Sequence, residues 1–408
     1  MEPLEKALDS IDLLMGAGEP PPLESVFDES FLAQVPATSL QEIFGRMGEQ
    51  VGACTGHRVC ERLSSHSAQV RWSFAGGYFV DGTAAVSENA PGKVVLLRFA
   101  APGRVNDSWA QIEADVHALP GRSSFELRDL SLGKAICSAN ADRKLCIGST
   151  SKLVIFSCLL DELASGRRRW DDLVRLEASH CSAPTGILQG WPPGSPLTLH
   201  TAAVLAISLS DNTAADLLLH ELGRQRVQAT LAGIGVGEHA LLRPFFATRE
   251  LFQLVQGPAS LRDRYRAAGY EERCRILAEL SNEPFHADRV TTSPWEEDFG
   301  WYLTASETCD LLGRIRTQVA HAPTAKSVLG TGRTGIAASG WGFVGFKGGS
   351  SPGRLSLALL LEDRAHHWIG ASLVVEATPE SLDQERCAML LKRASDHALA
   401  GIQGPLSA

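Results

Sequence analysis

Strand-forming runs lie at both ends of a long helical middle, and that distribution constrains the fold more than any other feature of the chain. Near the C-terminus, 341-WGFVGFKGG-349, 354-RLSLALLLED-363 and 367-HWIGASLVVEA-377 are three apolar runs separated by turn residues. Far upstream, 124-SFELRDLSLGKAICSAN-140 reads as a strand pair around a Gly-containing turn. Between them, 198-TLHTAAVLAISLSDNTAADLLLHELG-223 and the stretch from 224 to about 320 read as helices and loops. Strands on both sides of a helical block imply that the two ends share one sheet. A last helix, 379–402, closes the chain.

The first 105 residues differ in character. Helical patterns at 24-ESVFDESFLAQV-35 and 39-SLQEIFGRMGEQVG-52 come first. Strand patterns at 67–74, 77–88 and 93–100 follow, separated by Gly-Gly and Pro-Gly turns. Helices followed by strands predict a small α+β unit. Residues 102–121 read as a connection plus a helix. With 408 residues the chain has room for two domains with ample core, and the division is expected at 1–105 and 106–408.

One lysine stands where helix physics does not favour it. In 147-IGSTSKLVIFSCLLDELASG-166, Leu153, Ile155, Phe156, Leu159, Leu160 and Leu163 repeat as in a buried helix, yet Lys152 sits in the first turn beside three hydroxyl residues. A helix N-terminus carries partial positive charge, so a cation there is unfavourable. Ser149 and Lys152 are three apart and share one helix face. A serine hydroxyl is a weak nucleophile and needs a base within hydrogen-bond reach. A lysine can be that base only when neutral; burial, the helix dipole and a second cation all push it that way. A local rule broken in this manner marks a functional site. Alone, S-x-x-K says little: 131-SLGK-134 fits too, in a strand turn, and is read as structural.

Two further motifs single out the second copy. The triplet 210-SDN-212 lies between two helical runs, where it would also serve as a helix cap. The run 347-KGGS-350 ends a strand, where it would also read as an edge lysine before a glycine turn. In the order S-x-x-K, SDN, K-x-G the three match the set of class A β-lactamases and penicillin-binding proteins. On these motifs, and on 149–174 and 184-PTGILQGWPPGSPLTLHTAAVLAISLSDNTAADLL-218, residues 107–402 resemble the serine β-lactamase and penicillin-binding family. Within it, 241-LLRPFFATRELFQL-254, 345-GFKGGSSPG-353 and the N-terminal extension are similar to the β-lactamase-like hydrolases of clavulanic acid biosynthesis. The resemblance implies an α+β fold: a class A β-lactamase-like domain, antiparallel sheet with helical subdomain, preceded by a small isomerase/cyclase-like (NTF2-like) domain. It also implies weak esterase activity on cephalosporin side-chain acetates in place of β-lactamase activity.

The same resemblance assigns roles. Ser149 is the expected nucleophile and Lys152 its base. Ser210 relays a proton to the leaving group, Asn212 holds Lys152 and binds substrate, and Lys347 adds positive potential that helps keep Lys152 neutral. The N–H groups of Ser149 and Ser350 form an oxyanion hole, with Gly349 among the substrate-contacting positions. Each such donor is worth about 2.7–4 kcal/mol in rate.

The pattern breaks in two places. The family's usual K-T/S-G offers a hydroxyl to the β-lactam carboxylate, and here Gly348 stands at that position. The glutamate that class A enzymes use to activate the deacylating water, in E-x-x-L-N, has no counterpart in 233-GIGVGEHALLRPFFATRELF-252. Glu238 has the wrong neighbours; Glu250 is expected on a helix with Phe252, facing solvent. Esters and activated acyl groups turn over more easily than amides without that glutamate. The expected function is therefore a serine hydrolase working through an acyl-enzyme, an esterase or acyltransferase of specialised, antibiotic-type metabolism. A true β-lactamase or DD-carboxypeptidase, and a non-catalytic protein holding a ligand in the same cleft, stay open as alternatives.

Partners are narrowed by charge. A net charge of -9 and a pI near 5.8 offer nucleic acid no basic stripe, and no apolar run approaches the roughly 20 residues needed to span a bilayer. The expected partner is a small acyl or ester substrate; a homodimer is left open. The first residues, MEPLEKALDSIDLLMGAGEPPP, lack the basic n-region of a signal peptide, and nine scattered cysteines without a CxxC read as reduced thiols, so the cytoplasm is the expected compartment. No cofactor or metal is expected: His366 and His367 are adjacent on a presumed strand and face opposite ways, and His180–Cys181 lacks a third partner. The G-x-G-x-x-G run 330-GTGRTG-335 lacks a βαβ context and reads as a loop near the site. Trp191 is placed either on the cleft wall or in a packed turn. In the N-terminal domain, Asp81, Glu88, His57 and His66 present no convincing acid or base, which favours a structural or dimerising appendage.

Overall fold

A computed structural model describes residues 2–236, 243–285, 290, 299–332 and 340–403. They fall into two compact units, one built from the first 112 residues together with the segment from Glu385 onward, the other from most of residues 113–384.

In the first unit, α1 (Pro3–Met15), α2 (Leu23–Val26), α3 (Glu29–Gln34) and α4 (Ala37–Val51) precede β1 (Cys54–Ser64), β2 (Ser67–Phe74), β3 (Tyr78–Val86), β4 (Val94–Phe99) and the short β5 (Gly103–Arg104). The antiparallel sheet runs β1-β2-β3-β4, with β5 on β3. In α1, Leu4, Leu8, Ile11 and Met15 form the buried stripe. The single helix expected at 24–35 is two: Phe27 is extended and buried, and the Asp28 side chain caps α3 by accepting the Ser30 N–H at 3.0 Å. Strand β1 escaped the sequence reading because 54-CTGHRVCERLS-64 is an edge strand with scarcely an apolar side to betray it. Asp81, expected in a hairpin, is mid-strand and pairs across the sheet with Arg71 at 2.6 Å. His57 Nδ1 lies 2.7 Å from Asp12 Oδ2 of α1.

The second unit opens with β6 (Arg122–Asp129), β7 (Lys134–Ala139) and β8 (Leu145–Cys146), reached from α5 (Trp109–His117). Ser131 and Lys134 fall at the β6–β7 turn, as the structural reading of SLGK requires. Then come α6 (Lys152–Ala164), the small pair β9 (Leu173–Arg175) and β10 (Pro196–Thr198), α7 (Leu199–Ser208), α8 (Asn212–Leu222), α9 (Arg224–Ala232), α10 (Thr248–Gln256), α11 (Ala259–Ala267), α12 (Tyr270–Asn282), β11 (Tyr302–Leu303), α13 (Ala305–Val319) and α14 (Pro323–Gly330). Three strands close it, β12 (Phe343–Ser351), β13 (Arg354–Glu362) and β14 (Trp368–Glu376), before α15 (Gln384–Gln403). The five-stranded sheet runs β12-β13-β14-β6-β7, so the strands from both ends do share it. Every residue of β13 and β14 is buried, which their unbroken apolar runs foreshadow. Helix α13 packs on β14 and β6, and α6 is enclosed by α8, α9 and α13. Its wide apolar surface follows from that enclosure: a helix buried all round needs no polar face.

Candidate active site

The site forms where a 3₁₀ turn, Gly148–Ser151, runs into α6 alongside strand β12. The approach is close enough to dictate sequence. A Cβ at Gly349 would sit 2.6 Å from both Ile147 O and Ser149 N, so only glycine lets the strand backbone meet the turn. This contact sets the N–H of Ser149 beside the 349–350 segment of β12, the two halves of the expected oxyanion hole.

Lys152 is 4% exposed, and its Nζ lies 3.2 Å from Ser149 Oγ, 3.0 Å from Ser210 Oγ, 2.5 Å from Ser210 O and 2.7 Å from Asn212 Oδ1. Two of these neighbours, the Ser210 carbonyl and the Asn212 amide oxygen, can only accept. A neutral amine has two N–H bonds and one lone pair. Giving both N–H bonds to those oxygens leaves the lone pair for a serine hydroxyl. Burial drives Lys152 well below the usual amine range, and the nearby Lys347 pushes it further; Asp216 and Asp211 oppose this. The lysine that looks misplaced on its helix is thus buried among acceptors in a setting that favours its uncharged form.

Lys347, on β12, is 3% exposed and donates to Ser210 Oγ at 2.9 Å and to Gly348 O at 2.6 Å. Burial alone brings it down to about 7. Ser210 therefore sits between two amines. It holds a left-handed backbone, φ 53°, which is costly for a non-glycine residue and which its surroundings enforce. Thr185 Oγ1 donates to Ser210 O at 2.6 Å, and the Asn212 N–H donates to Thr185 O at 3.1 Å. Asn212 Nδ2 donates to Ala183 O at 2.8 Å, which turns its oxygen toward Lys152.

The helix-cap reading of SDN holds for Asp211. Its carboxylate accepts the Ala214 N–H at the start of α8 and, with the other oxygen, the N–H groups of Ile187 and Leu188 at 2.7 and 3.0 Å. One residue fastens the loop to the helix while its neighbours face the lysines. Sequence reasoning missed this support, and missed Thr185, although the PTG run pointed there.

Behind Ser149 and Lys152 a small cavity of about 70 Å³ is lined by Thr248, Leu251, Phe252, Phe299 and Trp301 among others, and no described residue lining it is acidic. Asp216 lies beneath it, accepting the Thr248 and Arg249 N–H groups at 2.6 and 2.8 Å, and burial pushes it up to about 7. Glu250 is on α10 with Phe252 as expected but is not at the surface: it is 2% exposed, accepts the Ala247 N–H at 2.8 Å and pairs with Arg224 at 2.5 Å. The guanidinium and the helix N-terminus neutralise a charge that sequence alone sends to solvent. Glu238 lies outside the described residues.

The remaining candidates lie apart from this cluster. His366 and His367 are in the β13–β14 turn, not on a strand, and bind separate carboxylates: Glu362 at 2.7 Å and Asp129 at 3.0 Å. His180 is buried, accepts the Glu177 N–H, packs its ring 4.9 Å from that of His220, and is brought down to about 4 by burial; burial raises the Cys181 thiol. Trp191 ends a 3₁₀ turn, 37% exposed. Residues 333–335 of the glycine-rich run fall outside the described residues.

Comparison with known proteins follows the same lines. A family model for the beta-lactamase enzyme family matches residues 107–329. Among solved structures, a β-lactamase from Sphaerobacter thermophilus DSM 20745 superposes at TM-score 0.51 with 18% identity, over 72% of this chain and 97% of that one. A β-lactamase from Desulfarculus baarsii DSM 2075 gives 0.51 and 16%, over 71% and 97%. A mutant of PBP-A, in an acyl-enzyme complex with penicillin G, gives 0.50 and 14%, over 71% and 96%. At these identities the likeness is one of fold. No curated protein matches. The second unit, α+β with an antiparallel sheet and a helical block, has the architecture of those neighbours, and the family match spans more than half of the sequence: the chain belongs to the beta-lactamase enzyme family.

Proposed function

We propose that this protein is a serine hydrolase that works through an acyl-enzyme on Ser149, and that its substrates are esters or activated acyl groups. The observation that carries the reading is the coordination of Lys152: two obligate acceptors take its N–H bonds and leave a lone pair for the Ser149 hydroxyl at 3.2 Å. In acylation Ser149 Oγ bonds to the acyl carbon as its proton passes to Lys152 Nζ. The backbone N–H groups of Ser149 and Ser350 take up the developing oxyanion. Ser210, between Lys152 and Lys347, returns the proton to the departing alcohol.

The preference for esters rests on the second half of the cycle. The cavity behind Lys152 is lined by apolar side chains, by hydroxyls such as Thr248 and by Asn212 and Arg354, with no carboxylate among its described lining. An acyl-enzyme from a β-lactam would persist there. Release must rely on the same lysine acting as base again, or on an acceptor other than water. Nine cysteines, none of them in a disulfide, suit a reducing compartment, and we place the enzyme in the cytoplasm, in specialised metabolism of the clavam or another antibiotic type. We take the N-terminal domain, 1–105, as an isomerase/cyclase-like scaffold; side chains such as Trp72 and Phe27 fill its core, which supports a structural role, and a cavity of about 680 Å³ opens beside Phe44 between α1 and α4. A chromogenic cephalosporin bearing a 3'-acetate tests the proposal. Release of acetate with the ring intact is the expected result; rapid ring opening with turnover would replace it with β-lactamase.

A further inference from the structure

The open side of the cleft has a lining that bears on the substrate. Strand β12 alternates: Lys347 and Gly349 turn toward the 3₁₀ turn, whereas Phe346, Gly348 and Ser350 occupy the opposite face. In the antiparallel register, Gly348 pairs with Leu357 and Ser350 with Leu355, so these leucines stand beside them on that same face. Position 348 is where the family places a hydroxyl. Here a Cβ at 348 would meet the Phe346 ring at 2.9 Å (Cζ) and 3.3 Å (Cε1). The ring occupies the place of the missing side chain. A cavity of about 360 Å³ runs from Ser149 along this surface and also takes in Ile207 and Leu209 from the end of α7. Leu209, next to Ser210, is 48% exposed, an apolar side chain held open at the mouth of a polar site. Lys347 is the one cation among the described residues lining this cavity, and its Nζ contacts two protein oxygens, Ser210 Oγ and Gly348 O; Lys152 and Arg354 line the smaller cavity behind Ser149.

We infer that this face is an apolar subsite, built by Phe346 over Gly348 with Leu357 and Leu209, and that it selects an uncharged alkyl or aryl substituent of the substrate over a carboxylate. The inference rests on the Ser149 hydrolase reading and narrows it to esters whose group lying in this subsite is neutral and apolar. A carboxylate set against the ring and the leucines would lose water and gain in exchange a neutral hydroxyl such as Ser350, Lys347 being engaged with protein oxygens. An alkyl group there is removed from water at no such cost.

A matched pair of substrates tests this. p-Nitrophenyl hexanoate and p-nitrophenyl hydrogen adipate carry acyl chains of equal length, ending in methyl and carboxylate respectively. The wild-type enzyme is expected to favour hexanoate about tenfold or more in kcat/KM, the scale of discrimination a hydrophobic pocket supplies. Phe346→Ala is expected to bring the ratio toward one through KM for hexanoate, and Phe346→Ala with Gly348→Ser to turn it toward adipate. Equal use of both esters by the wild type, or a ratio that Phe346→Ala leaves in place, overturns the inference. Binding is read separately in Ser149→Ala by calorimetry with hexanamide and 6-amino-6-oxohexanoate. A preference for the neutral amide upholds the subsite even if no ester is turned over, an outcome that would remove the hydrolase reading alone. Tighter binding of the carboxylate refutes the subsite whatever the turnover.

Discussion

Replacing Lys347 by methionine deletes one of two buried amines and keeps most of the stem's volume. Both Nζ atoms reach Ser210 Oγ, at 3.0 Å from Lys152 and 2.9 Å from Lys347, so they are no more than about 6 Å apart. With an effective dielectric constant of about 20, two positive charges at that distance repel by about 3 kcal/mol, close to a hundredfold in a protonation equilibrium. The sign follows from the charge. Lys347 disfavours the ammonium form of Lys152, so its removal makes Lys152 easier to protonate and leaves less free amine on the acid side. The rate constant for phosphonylation of Ser149 by a neutral fluorophosphonate, with loss of fluoride, followed by intact mass across the pH range, reads the same proton removal directly. The rising limb of the profile belongs to Lys152. In Lys347→Met its midpoint moves to higher pH, and the rate on the acid side falls by about a hundredfold. Lys347→Arg keeps the charge and holds the midpoint near that of the wild type. Any uniform loss, from the missing contact to Ser210 or from weaker attraction of substrate, lowers the plateau instead. A lower plateau with an unmoved midpoint, or a midpoint moved toward acid, would refute the idea that one lysine keeps the other neutral.

Other consequences can be checked singly. Asn212→Asp sets a carboxylate where the amide oxygen now lies 2.7 Å from Lys152 Nζ; by favouring the ammonium form it slows acylation at neutral pH by about tenfold or more, with recovery at alkaline pH. Gly349→Ala drives a methyl group to 2.6 Å from the Ser149 nitrogen; acylation falls by about a hundredfold or more, as for a lost oxyanion donor, while circular dichroism stays native. Glu250→Gln leaves the Arg224 guanidinium without its counter-charge and costs about 3–5 kcal/mol in urea unfolding; a change within experimental error would return Glu250 to the role of a surface residue.

The sequence carried the sheet because its strands are buried on both faces and so read as continuous apolar runs; 354–362 and 368–376 are fully buried. It carried Lys152 for the opposite reason, since a cation at a helix N-terminus conflicts with its local setting. What it hid depends on groups distant in the chain. Glu250 looks like an exposed helical glutamate until Arg224 is placed against it. Asp216 reads as one more polar residue in α8, yet it fastens the start of α10 through two backbone N–H groups. Gly348 reads as a lost hydroxyl; only side-chain positions reveal that Phe346 has taken its space. Strand β1 failed for a local reason, its edge position leaving it without the alternation that marks β2. In each hidden case the deciding partner lies outside any window over which periodicity can be read.

The central claim is that an uncharged Lys152 takes the Ser149 proton. Peptide mapping after brief exposure to a fluorophosphonate at neutral pH tests it most directly, in the wild type and in Lys152→Ala. The account predicts one adduct on the Ser149 peptide of the wild type and none on that of the variant within the same time. An adduct on another residue, or a variant that is phosphonylated at Ser149 as fast as the wild type, would contradict it.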